Sequence, residues 1–239
     1  MLSIKPNCCV LFAICLPAFA ATQSDDYAKN LYSYQREKFH AGTHLGITST
    51  TYAYRIRSDR DPDDSLYRID LKSGPGFNFN CPMAAWSPVY NVHLRINASI
   101  SFHETIFNYS YWKNGTLRTK SHRTDPTRLN FPVQLKFNAN RINNFGAYAL
   151  GGFCPSYDLA SQKKVVPNPS DPIVRMKPLD LAFEVGAGFD FFLEYFKFGI
   201  EVKMQNGVRN LLIQDDTFYS RPLESLKSRI WWVHLTFET

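Results

Sequence analysis

After residue 20, the 239-residue chain contains no run of 18 or more apolar residues. A membrane-spanning helix needs about 20 such residues, so the sequence excludes a helical membrane protein beyond that point. A protein that spans a bilayer without helices must be a closed barrel, because its backbone polar groups find no water there.

Cysteine is scarce outside the N-terminus. Of the five cysteines, Cys8, Cys9 and Cys15 lie within the first 20 residues, which leaves Cys81 and Cys154. Two cysteines do not make the disulfide framework of a small secreted domain. We favour packed free thiols over a bridge, because free cysteine is often buried.

A dense Lys/Arg run is also missing. The net charge is +6, but the basic residues are spread along the chain. This distribution predicts no nucleic-acid partner and a weak attraction to anionic surfaces such as the headgroups of outer-membrane lipid.

Residues 1–20 have the pattern of a signal peptide. Lys5 supplies the positive region, Cys8 to Ala20 form a short apolar segment, and Ala18-Phe19-Ala20 is a small-x-small cleavage site. We predict export, a short periplasmic segment at residues 21–38 and a barrel domain at residues 39–239.

Alternation of apolar and polar residues dominates the rest of the chain. It predicts eight strands, at residues 39–57, 69–83, 91–112, 128–139, 145–159, 178–192, 196–210 and 228–238. Long polar connections (58–68, 113–127, 160–177, 211–227) alternate with short ones (84–90, 140–144, 193–195). This asymmetry is typical of outer-membrane barrels, so we predict an all-β fold, an eight-stranded antiparallel transmembrane β-barrel in the bacterial outer membrane.

Two predicted strands alternate less cleanly. In 39–57 the apolar phase switches between Ile47 and Tyr52, which predicts a bulge near Ser49–Thr51. Segment 145–159 is rich in glycine, and its phase stays open.

The apolar face of the barrel is predicted to point outward. The six clean strands place about 30 apolar side chains on one face, whereas an eight-stranded barrel interior holds about 12. This count excludes a lipocalin-like soluble barrel. A β-sandwich core could hold this many apolar side chains, but the alternation of long and short loops argues against a sandwich.

The opposite face is predicted to form a polar, filled lumen. It carries glycines and a network of charges: Arg95, Lys136, Glu184, Asp190, Lys197, Glu201 and Lys203. Buried charges require partners, so internal salt bridges are expected. A filled lumen leaves no aqueous channel, which excludes a diffusion porin.

Three groups of residues suggest chemistry but lack the necessary pattern. They are an acidic loop (Asp59, Asp61, Asp63, Asp64), four histidines (His40, His44, His93, His103) and a potential triad (Ser220, His122, Asp125). The acidic loop has no glycine for a calcium turn, the histidines match no zinc spacing, and no nucleophile elbow surrounds Ser220. We therefore predict no metal, no cofactor and no catalysis.

Several segments resemble a known family. They are Phe131–Lys136, Arg141–Tyr148 with Gly151-Gly152, Tyr157–Lys164, Glu184–Phe198, Asn210–Leu212, Tyr219–Leu226 and Leu235–Glu238. On these segments, from about residue 39 to its end, the chain resembles the PorT family of outer-membrane barrels. Members of that family are required for type IX secretion and, in gliding species, for motility.

The resemblance implies a non-enzymatic component of a type IX-like secretion system, which acts in assembly or partner binding with other secretion-machine proteins. A general small outer-membrane barrel with an OmpX-like adhesion or structural role is the alternative, and an outer-membrane enzyme is a further one. The candidate partner-binding residues lie in loops: Asp158, Gln162, Lys163, Lys164, Tyr219, Arg221 and Glu224. They could instead cap strand ends or fold the loops over the barrel mouth.

Overall fold

The computed structural model describes residues 29–34, 37–57, 66–89, 91–113, 115–161, 174–215 and 220–239. The predicted signal peptide and the acidic loop Asp59–Asp64 lie outside these residues. Among the residues described, the structure has no helix with the length and apolarity that crossing a membrane requires.

The described chain forms twelve strands. They are β1 Phe39–Ile56, β2 Leu66–Ser73, β3 Pro75–Val89, β4 Val92–Phe102, β5 Thr105–Lys113, β6 Thr116–Thr124, β7 Thr127–Asn130, β8 Val133–Asn138, β9 Phe145–Asp158, β10 Leu179–Phe192, β11 Lys197–Gly207 and β12 Leu223–Glu238. A second, three-stranded sheet contains β2, β5 and β6.

The remaining strands close into an eight-membered antiparallel ring. Going round it, β1 pairs with β3, then come β4, the β7–β8 pair, β9, β10, β11 and β12, which pairs with β1 again. β7 and β8 are two halves of one wall strand, interrupted at Phe131-Pro132, where proline lacks the N–H that a ladder needs. The predicted eight-stranded barrel is confirmed.

Several predicted boundaries are wrong. The predicted strand 69–83 divides at Gly74 into β2 and β3, and the predicted strand 91–112 divides into β4 and β5. These two breaks lie side by side, because Gly74 N donates to Glu104 O over 2.9 Å. The predicted loop 113–127 contains β6, whose sequence is polar on both faces. Most of the predicted turn 84–90 belongs to β3.

The wall strands expose apolar side chains and bury polar ones. In β10, Phe183 and Phe189 are exposed, whereas Glu184 and Asp190, which follow them directly in the chain, are buried. β9 follows the same rule, with its even positions facing the lumen. One of them, Cys154, is a fully buried free thiol. The open phase of segment 145–159 is thereby assigned.

The predicted bulge near Ser49–Thr51 is wrong. β1 pairs with β12 without a shift from Gly42 to Arg55, and with β3 the register shifts between Gly42 and His44 instead. The even positions of β1 point inward as far as Tyr52, as Thr48 and Thr50 also show. The switch in apolar phase therefore marks a change of surroundings along one strand, from lipid to water.

Beyond the lipid-facing wall, the loop end folds into a layer that we call the cap. It consists of β2, β5, β6 and residues 174–176, 211–212 and 220–226. Its interior is an apolar cluster of Tyr52, Ile69, Phe107, Tyr109, Val174, Met176, Leu211, Leu212, Leu223 and Leu226.

Polarity inverts where the wall enters the cap. The inward positions of β4 are polar up to Ser101, and His103 follows, whereas in β5 the same face carries Phe107 and Tyr109. In water, apolar side chains are buried inside, whereas lipid accepts them outside. Ile69, predicted to face lipid, is therefore buried in the cap.

We expect Phe107→Ala to loosen the cap and leave the barrel closed. Phe107 is 1% exposed, and truncating a buried Phe costs about 3–5 kcal/mol. Trypsin in detergent should cleave at Arg118 and Lys120 of β6 at least about tenfold faster, since local opening controls cleavage. Heat-modifiable migration should persist. Ile106→Ala, on the opposite face of β5, is the matched control, and equal cleavage of both variants would contradict an independent cap core.

Candidate functional site

Among the described residues, five cationic and five carboxylate side chains lie in the lumen, each at most 3% exposed. They are Arg95, Arg128, Lys136, Lys197 and Lys203 with Asp180, Glu184, Asp190, Glu201 and Glu238. The structure places all seven residues of the predicted charge network here. Sequence reasoning missed Arg128, Asp180 and Glu238, although Asp180 and Glu238 share the inward phase of β10 and β12.

The middle of the lumen is organised around Glu201 of β11. Arg95 Nη2 donates to Glu201 Oε2 over 2.7 Å, and the hydroxyl of Tyr148 donates to the same oxygen over 2.9 Å. Lys203 Nζ lies 3.6 Å from Glu201 Oε1 and 3.8 Å from Glu184 Oε2. Arg95 Nε also donates to Gln134 Oε1 over 2.9 Å. Strands from opposite sides of the ring are thus joined across its centre.

Glycine makes room for this arrangement. A Cβ atom on Gly188 would lie 2.5 Å from the hydroxyl oxygen of Tyr148, closer than van der Waals contact allows. Gly188 thus leaves the space in which Tyr148 reaches Glu201 across the lumen.

A second group of charges closes the turn end of the barrel, where the short connections join the strands. Lys197 Nζ lies 2.5 Å from Glu238 Oε2 and 3.4 Å from Asp190 Oδ2, which Lys136 Nζ approaches at 2.9 Å. Tyr34, from the segment before β1, donates its hydroxyl to Glu238 Oε2 over 2.7 Å. The described part of the N-terminal segment therefore closes this mouth through Tyr34, whose ring lies 4.5 Å from Lys197 Nζ.

A third group lies under the cap. Arg128 Nη1 approaches Asp180 Oδ2 at 3.4 Å, and Arg128 Nη2 donates to the hydroxyl of Tyr52 over 3.2 Å. Ser228 donates to the same Asp180 oxygen over 2.5 Å. Because the apolar cluster of the cap includes Tyr52, the lumen is closed at the loop end as well.

The four histidines considered for metal binding lie in this lumen. His44 hydrogen-bonds Asn78 through Nε2 at 2.9 Å and stacks on His234 with ring centroids 4.3 Å apart. His103 Nδ1 contacts the hydroxyls of Thr48 and Thr50 at 3.1 and 2.7 Å. The described residues contain no group of three or more side chains placed to hold a metal ion.

The structure describes three of the seven predicted partner-binding residues. Asp158 is buried at the end of β9, where its Oδ1 accepts from Ala160 N over 3.0 Å. Glu224 and Arg221 are exposed in the cap, and Glu224 lies 3.9 Å from Arg55. Asp158 thus caps a strand end. Gln162, Lys163, Lys164 and Tyr219 lie outside the described residues.

The residues of the potential triad, Ser220, His122 and Asp125, are not arranged as a triad. Ser220 Oγ donates to the carbonyl of Asp215, and Asp125 accepts from Arg123 Nε over 2.9 Å. A hydrolase triad needs its serine and carboxylate directed at one histidine, whereas these two residues bond to other groups.

We expect Glu201→Ala to lower the unfolding temperature in detergent strongly. The substitution leaves Arg95 and Lys203 buried without their shared carboxylate, and breaking a buried pair in this way costs about 3–5 kcal/mol. The measurement is the temperature at which heat-modifiable migration is lost. Asp70→Ala, which breaks the exposed Arg68–Asp70 pair, should cost less than about 1 kcal/mol. Equal shifts would contradict a tightly coupled lumen.

We expect the wild-type barrel to carry no steady current in a planar bilayer, because charged side chains fill its lumen and both of its ends are closed. A variant with Glu184, Glu201 and Lys203 all replaced by alanine should leak intermittently. A stable, ohmic, nanosiemens-scale conductance of the wild type would defeat the filled-lumen interpretation.

Solved structures of small outer-membrane barrels superpose on the chain at low sequence identity. Neisserial surface protein A gives a TM-score of 0.45 at 8% identity, over 83% of this chain and 95% of that one. OprG from Pseudomonas aeruginosa gives 0.46 at 11%, over 84% and 94%. The outer membrane protease OmpT from Escherichia coli gives 0.46 at 7%, over 90% and 99%. A search of curated proteins found no match.

The sequence itself matches one family model. The model describes the outer membrane protein beta-barrel domain and matches residues 23–212, which cover well over half of the chain. The closed ring, the lipid-facing apolar wall and this match agree. The chain therefore belongs to the outer membrane protein beta-barrel domain family and is a small β-barrel of the bacterial outer membrane.

Proposed function

We propose that this barrel is a non-enzymatic outer-membrane component that binds partner proteins through its cap. The observation that carries the proposal is the cap itself, a folded sheet with its own apolar core built on a sealed lumen. Short turns of such barrels face the periplasm and longer loops face outward, so the cap faces the outside of the cell.

Because the lumen is filled, the function of the protein has to be carried out by its outer surface. A packed interior with balanced charges has no path for solutes, so transport through the barrel is a poor candidate. The binding surface then has to be formed by side chains outside the lumen.

The tip of the β5–β6 hairpin offers such a surface. Trp112 and Leu117 are directly opposite each other in the register, and they are 51% and 47% exposed. Binding hot spots are enriched in tryptophan, so an exposed Trp112 on a folded hairpin is a candidate anchor for a partner, with Leu117 adding apolar surface beside it. Tryptophan in particular is enriched at such positions.

The partner proteins are proposed to belong to a type IX-like secretion system. The PorT resemblance supports this proposal, and the described residues of two of its loop segments lie at the loop end of the barrel. Asp158 of the Tyr157–Lys164 segment lies at the loop end of β9, and Leu223 and Leu226 of the Tyr219–Leu226 segment lie in the cap core. Lipid contact dictates little at these positions. A general adhesion or structural role, OmpX-like, is the second candidate and needs the same exposed cap.

We expect Trp112→Ala/Leu117→Ala to reduce export of secretion-system cargo into the medium at least about tenfold, with barrel levels unchanged. Losing two clustered hot-spot side chains removes several kcal/mol from a protein interface. The measurement is cargo in the supernatant of a strain whose own copy is replaced by the variant. Ser110→Ala/Thr119→Ala, the next pair on the same hairpin face, should export normally.

The outcomes separate the candidate functions. Normal export with impaired surface attachment would replace the secretion role by the adhesion role. Loss of export in Ser220→Ala and His122→Ala, at normal protein levels, would support an enzyme. Normal export and attachment in the Trp112/Leu117 variant would contradict partner binding at the hairpin tip.

A further inference from the structure

A basic patch lies on the outer wall where β12 and β1 leave the apolar band. Arg229 and Lys227 of β12 and Arg55 of β1 are exposed there. Trp231, the next outward residue of β12 toward the turn end, is 49% exposed and belongs to the apolar wall. Arg229 is therefore the first outward side chain of β12 beyond the lipid-facing residues.

The strand register brings the three bases close together. Arg229 and Lys227 are two residues apart on one face, which separates them by about 7 Å. Ala53 of β1 is directly opposite Lys227, and Arg55 lies two residues further along β1. Such diagonal neighbours are about 7–8 Å apart, so three flexible basic side chains can reach one phosphate group together.

Little counter-charge neutralises this patch. Arg229 Nε donates to the uncharged Asn206 Oδ1 over 3.2 Å. Arg55 lies 3.9 Å from Glu224, and these two side chains are 74% and 51% exposed, so their pairing contributes little. In the described part of the chain, Glu224 is the one carboxylate whose ion pair involves the patch. The surplus positive charge stays available to a ligand.

The same strands end differently on the other side of the membrane. There the outward positions of β1, β11 and β12 carry Phe39, Phe198 and Phe237. An outward Arg or Lys is costly at the bilayer midplane and costs little near the interfaces. The patch therefore marks the headgroup level of the outer leaflet.

We propose that this patch binds the phosphate-bearing headgroup of an outer-leaflet lipid, whose acyl chains lie against Trp231 and Val233. Positive charge complements the phosphate, and the apolar wall below it continues without interruption to receive the chains. A soluble acidic protein would have to enter the headgroup layer to reach the same side chains. The proposal does not depend on the secretion role.

The test is native mass spectrometry of the detergent-purified barrel titrated with diphosphorylated lipid A. Each basic residue near a surface contributes about 1 kcal/mol to anionic lipid binding, so Lys227→Gln/Arg229→Gln should weaken binding about 30-fold. Lys72→Gln/Arg118→Gln, which removes the same charge from the exposed cap sheet, should bind as the wild type does. Lys227→Arg/Arg229→Lys should retain binding, and heat-modifiable migration verifies that each variant is folded.

Two further arms identify what is recognised. Lipid A stripped of both phosphates should bind as weakly as the double variant binds the intact lipid. Millimolar inorganic phosphate should compete poorly, because it lacks the chains that contact Trp231. Equal binding of both lipid forms, or equal loss in the cap-sheet control, would overturn the proposal, as would full competition by free phosphate.

Discussion

The absence of water around the wall is the constraint on which the rest of this structure depends. Lipid leaves no partner for a backbone edge or an outward charge, so the ring closes and its charged side chains turn inward. Inside, each charge must meet an opposite one, as Arg95 meets Glu201 and Lys197 meets Glu238. Removing one member of such an ion pair would leave the other charge unpaired in an interior without water. The filled lumen is thus a consequence of lipid contact on the other face of the same strands.

The constraint ends where the strands leave the bilayer, and the structure changes at that level. β1 keeps its inward positions in phase, yet Thr50 lies in the polar lumen while Tyr52 belongs to the apolar cap. The cap is a water-exposed fold with an apolar interior, and it lies on a barrel with a polar interior and an apolar exterior. Its core covers the lumen because it is built on the inward face of the strands that surround it.

The sequence was most informative where one environment extends along a whole strand. β10 alternates without exception, so its phase and Glu184 and Asp190 could be predicted. Prediction failed where the environment changes. Ile69 has the parity of the lipid-facing Phe77, but the break at Gly74 puts it in the cap. β6 has no apolar face at all, and only its pairing with β5 makes it a strand. Tertiary position decided these cases, and a period of two does not encode it.

The balance of charge also explains where the excess goes. Arginines and lysines in the lumen are matched by carboxylates, whereas the whole chain carries +6. The surplus must therefore lie outside the lumen. Charge is unfavourable at outward positions at bilayer depth, so exposed charges are expected where the wall meets water. Arg55, Lys227 and Arg229 stand at that level on neighbouring strands. The proposed contacts, anionic headgroups at the rim and partner proteins at the cap, therefore fall on two surfaces that are separated along the same strands.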